Sequence, residues 1–69
     1  MNTHRTDSRN PLDHTPIIRR QMEELISHLR EDAQKVDDTQ AQALFLVSAE
    51  VIEGLKKALS DYESRSQSA

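Results

Sequence analysis

Apolar residues recur at helical spacing in two stretches of this chain and are sparse outside them. In the second stretch Ala41, Leu44, Ser48, Val51, Leu55, Ala58 and Tyr62 follow one another in steps of three and four, which places them along one side of a helix. One residue over, or about 100° around the helix, Phe45, Ile52 and Leu59 repeat at strict seven-residue spacing. The first stretch carries one broad stripe of Ile18, Met22, Leu25, Leu29, Ala33 and Val36, flanked by Ile17 and Ile26.

The boundaries follow from capping and phase. Thr15 before Pro16 is a helix start, because a threonine oxygen can accept from an orphan amide and proline at the first position loses no needed donor. The pattern predicts a first helix over about 16–36. Continuing its seam from Met22, Leu29 and Val36 by sevens lands on Ala43, Glu50 and Lys57, a row without an apolar stripe. A straight rod would therefore lose its seam, and a tight turn is expected over about 37–39. Asp37 with Gln40, or Thr39 with Gln42, has the spacing of a capping box for the second helix, expected over about 40–63. Folding back at the turn sets Leu29 opposite Ser48, Leu25 opposite Val51 and Met22 opposite Leu55. Residues 1–14 and 64–69 have too little apolar content to order themselves and read as flexible tails around a hairpin at 15–63.

A helix with one partner needs one apolar seam, and the second helix has two. The expected architecture is therefore all-α, an antiparallel two-helix hairpin that dimerises into a four-helix bundle. The seven-residue row of Phe45, Ile52 and Leu59, with Ile26 from the first helix, is the expected dimer interface. The run Ala43, Leu44, Phe45, Leu46, Val47 goes around the whole helix, so Leu46 and Val47 fall off both seams and form a candidate partner patch.

Composition sharpens this picture. The chain has 69 residues, one glycine, two prolines, no cysteine and 30% charged residues, which favours helix and leaves no disulfide or thiolate cage to supplement a small core. The net charge is −3 with both signs interspersed, which disfavours a dedicated polyanion surface. No apolar run reaches the roughly 20 residues of a membrane span, and the opening residues contain no signal-peptide core, so the expectation is a cytoplasmic protein without membrane association.

The chemistry-bearing residues do not assemble into a site. Glu24, His28 and Asp32 are spaced by four on one helix line, but such triplets arise on any acid-rich helix and no further ligand is supplied from the second helix. Ser27 beside His28 diverges by about 100°, and Gly54 stands alone rather than in a phosphate loop. No catalytic, metal or cofactor residue is assigned, and the protein is not expected to be an enzyme. The expected function is that of a small dimeric adaptor or regulator with a possible protein partner. The alternative is a nucleic-acid-binding bundle using Arg19, Arg20, Arg30 and the tail arginines Arg5 and Arg9, which net acidity and the lack of aromatic stacking residues disfavour.

Overall fold

The computed structural model describes residues 8–67. Among them are a short 3-10 turn at Pro11–Asp13, helix α1 at Thr15–Ala33 and helix α2 at Thr39–Gln67, with no strand. The helices pack against each other, and because Arg19 meets Glu63 at one end and Val36 meets Gln42 at the other, they run antiparallel. The result is a slab 46 × 31 × 12 Å, one helix thick. No helix among the described residues is long and apolar enough to cross a membrane.

The approach to α1 is structured by side-chain bonds that a count of apolar residues does not register. The Asn10 side chain accepts from the Leu12 amide at 3.0 Å, and His14 Nε2 donates to the Ser8 carbonyl at 2.7 Å. Residues 8–14, expected to be part of a flexible tail, thus wrap onto the start of α1. His14 occupies the cap position without a side-chain cap bond, while Thr15, expected as the cap, is the first helical residue. Of the expected tails, residues 1–7 and 68–69 lie outside the described residues.

The link between the helices is residues 34–38, with α1 ending at Ala33 rather than near the expected 36 and α2 starting at Thr39, and its capping residue differs from those expected. Asp38 Oδ1 accepts from the Gln40 amide at 3.0 Å, its carbonyl takes the first helical bond from the Gln42 amide at 2.9 Å, and Gln42 Nε2 donates to the Val36 carbonyl at 2.9 Å. No described residue has a positive φ, which is why this turn needs no glycine. At the far end α2 continues to Gln67, correcting the expected end at Glu63. Residues 64–67 contain no helix breaker, and Arg65 in the last turn suits the negative end of the helix dipole.

The core is small. Among the described residues Ile26, Ala33 and Ala49 are the buried apolar ones, at 3% exposure for Ile26 and 0% for Ala49, and no large side chain is fully enclosed. Gly54 lies in mid-α2, and a Cβ built there meets nothing within 4 Å. Gly54→Ala is therefore expected to stabilise the protein by about 1 kcal/mol through helix propensity and reduced unfolded-chain entropy. Urea unfolding reads this directly, and a loss of stability would mean that something approaches the backbone at that point.

Candidate interaction surface

The two seams of α2 exchange the roles expected of them. The residues of α2 that turn towards α1 are Gln42, Phe45, Ala49, Ile52, Lys56, Leu59 and Glu63, a three-four repeat in which each is buried or half-buried. Phe45, Ile52 and Leu59, expected at a dimer boundary, are thus half-buried against α1 within the hairpin, and Phe45 also lines a groove with Leu25 and Leu29. Ile26, expected beside them at that boundary, is buried in the same seam at 3% exposure. The physical reason lies in the polar members of the row. Gln42 bonds the Val36 carbonyl, Lys56 Nζ lies 3.6 Å from Glu23 Oε2, and Glu63 Oε1 lies 2.9 Å from Arg19 Nη2, so residues that look unfit for a seam find partners across it. Ala33 and Ala49 add the small side chains that let two helices approach.

The stripe displaced from the interior is open. Leu44 is 62% exposed, Leu55 51% and Leu25 46%, and Ile18, Val51 and Tyr62 are exposed as well. At about 100° per residue Leu44, Val51, Leu55 and Tyr62 fall along one line of α2, and Ile18 with Leu25 along one line of α1. Both lines border the same broad face, where Leu25, Leu29 and Phe45 line a groove with His28 and Asp32. The opposite face is polar. There Arg30 Nη1 lies 3.5 Å from Glu53 Oε2 and Lys56 reaches Glu23, beside a groove lined by Arg19, Gly54, Lys57 and Asp61.

Leu46 and Val47, the expected partner patch, are both exposed but are separated from the apolar face. Leu46 lines a groove with Arg30, Ala33, Gln34 and Gln42 near the turn, and Val47, about 100° further round, lies on the outer edge of α2. The five-residue apolar run is thus divided among the surfaces of the slab.

The ion pair closing the open end is the most elaborate contact. Arg19 Nε lies 3.1 Å from both carboxylate oxygens of Glu63, in addition to the Nη2 contact. The buried Thr15 hydroxyl lies beside the same carboxylate without meeting hydrogen-bond geometry. The Thr15 hydroxyl and then the Arg19 guanidinium hold the Glu63 carboxyl below its ordinary value, against a smaller opposing effect of desolvation. Because the folded value is the lower one, the stabilisation is fully present above the ordinary 4.5 and is lost as pH falls through the folded value. The stability difference between the parent protein and Glu63→Gln is accordingly expected to be constant at neutral pH and to shrink in acid below 4.5. Thermal melts across that range measure it, and a difference that grows in acid would contradict the assignment.

His28 Nε2 and Asp32 Oδ2 lie 3.0 Å apart, and among the described residues no group of three or more histidine, aspartate or glutamate side chains is placed to hold a metal ion. Of the arginines considered for polyanion contact, Arg19 and Arg30 are engaged by Glu63 and Glu53, Arg9 and Arg20 are exposed, and Arg5 lies outside the described residues. No protein-family model, curated protein or solved structure matches this chain.

Proposed function

We propose that the protein is a non-enzymatic interaction module, a small adaptor or regulator that works as a homodimer, with two hairpins covering each other's apolar face in a four-helix bundle. The observation that carries this reading is the imbalance, among the described residues, between eight exposed large apolar residues and a core of three buried ones, two of them alanine. Six of the eight border one broad face, far more than the scattered apolar residues of an ordinary surface. A slab one helix thick cannot bury both sides of its helices, and a domain of this size has little core to spare. Pairing two slabs across their apolar faces supplies the missing layer and leaves two identical polar faces outward for a protein partner.

The nucleic-acid reading has less support, since Arg19 and Arg30 are neutralised by acidic residues of the same chain and the net charge is −3. Sedimentation equilibrium over a range of concentrations tests the homodimer. A mass twice that of the 7.9 kDa chain, with thermal stability rising with concentration, is the expected result. A folded monomer at high micromolar concentration would overturn it.

A further inference from the structure

We infer that the two hairpins meet with their turns at the same end, so that α1 of each copy lies along α2 of the other. This rests on the homodimer proposed above and specifies its geometry. When two apolar faces meet under two-fold symmetry, the axis lies in the plane between them, either along the helices or across them. Both choices give four helices with antiparallel neighbours. They differ in what each side chain meets.

An axis along the helices keeps every residue at its own height. Within the hairpin Arg19 is level with Glu63, Glu23 with Lys56 and Val36 with Gln42. The same register between copies sets Ile18 against Tyr62 of the second copy, Leu25 against its Leu55 and Leu29 against its Val51, while Met22 meets the small Ala58. The row on α1 contains one charged residue, Asp32, already paired with His28, and at its height stands Ser48, which with Tyr62 supplies the hydroxyls of the facing row. A hydroxyl can donate to the carboxylate, so the polar pair falls in register with itself, and the other layers are apolar but for the Tyr62 hydroxyl beside Ile18.

An axis across the helices sets α1 on α1 and α2 on α2. Centred between Val51 and Leu55, where the exposed row of α2 is balanced, it crosses α1 near Ser27 and brings Asp32 across from Met22 of the second copy. That happens twice in the dimer and covers two carboxylates, each held only by its own His28 at 3.0 Å, with thioethers that cannot donate. Moving the axis so that Ile18 meets Leu29 instead carries Leu44, the most exposed of the large apolar residues, past Gln67 of the facing α2. Neither placement of this axis suits both helices.

The chain lacks cysteine, so one introduced at the exposed Asp37 in the turn accepts a single spin label per copy without touching the cap, which Asp38 supplies. Dipolar spectroscopy on the full chain, with sedimentation on the same sample, then separates the outcomes. Turns at one end place the two labels within about 25 Å, the width of a bundle with helix axes roughly 10 Å apart plus the label arms. Turns at opposite ends separate them by about 30 Å or more, the length of α1, and would overturn the arrangement while leaving the homodimer standing. A monomeric mass with no coupling between copies would overturn the homodimer itself. Ser48→Ala adds an independent reading. It should weaken association several-fold by removing the donor facing Asp32, whereas in the opposite arrangement Ser48 faces Ala58 and the substitution would leave association unchanged or tighten it.

Discussion

Leu55→Glu should leave the protein monomeric over the concentration range in which the parent dimerises, with the hairpin itself losing most of its stability as a consequence. In the isolated hairpin Leu55 is about half exposed, so a glutamate at that position keeps its hydration and adds little strain within the chain. Against a second copy the same carboxylate would be enclosed by apolar side chains without a partner, which costs on the order of 3–5 kcal/mol. At about 1.4 kcal/mol per factor of ten, that corresponds to a dissociation constant raised a hundredfold or more. Val47→Glu is the matched control, because Val47 is equally apolar and exposed but lies on the outer edge of α2, away from the proposed contact. It should associate as the parent does. Equal dimerisation of the parent and Leu55→Glu, measured by sedimentation equilibrium, would move the interface off this face.

The contrast with Ile52 shows where the sequence is informative and where it is not. A charge at Ile52 is expected to damage the hairpin itself, because Ile52 turns towards α1, whereas strict seven-residue spacing alone suggests a boundary between subunits. Helix content and the antiparallel fold-back are legible, since each depends only on the period of apolar residues and on the slip in that period, whereas the end of α1 at Ala33, three residues before Val36, is not. Which of two adjacent seams turns inward is not legible from apolarity. The more apolar row, with Leu44, Val51 and Leu55, faces out, and the inward row contains Gln42, Lys56 and Glu63, whose partners Val36, Glu23 and Arg19 become apparent only once the helices are aligned. Long side chains can bury their stems and keep their charged ends in contact at the rim, so a polar letter in a heptad does not exclude a seam. The bonds from Asn10 and His14 that shape residues 8–14, and the cap from Asp38 rather than from Asp37 or Thr39, lie below the resolution of a periodicity argument. The apolar face was present in the sequence as a surplus stripe, with its position inverted.

Ile26→Ala is expected to cost about 2–4 kcal/mol, the usual penalty for truncating a buried isoleucine where the surroundings cannot fully collapse. The position is decisive because of what accompanies it. Ile26 is 3% exposed, and the other buried apolar residues are Ala33 and Ala49, so among the described residues it is the single large side chain in the buried core. Stabilities of about 0.05–0.15 kcal/mol per residue leave a chain of this length only a few kcal/mol to lose. The substitution should therefore populate the unfolded state measurably at room temperature, with a sharp fall in the urea midpoint at fixed protein concentration. Ile18→Ala, at a residue already exposed in the hairpin, should cost the isolated hairpin less and act mainly through association. If truncation at Ile26 cost under about 1 kcal/mol, below the range for a buried site, then the seam of Phe45, Ala49 and Ile52 would not be the one that holds α1, and the two stripes of α2 would have to be exchanged again.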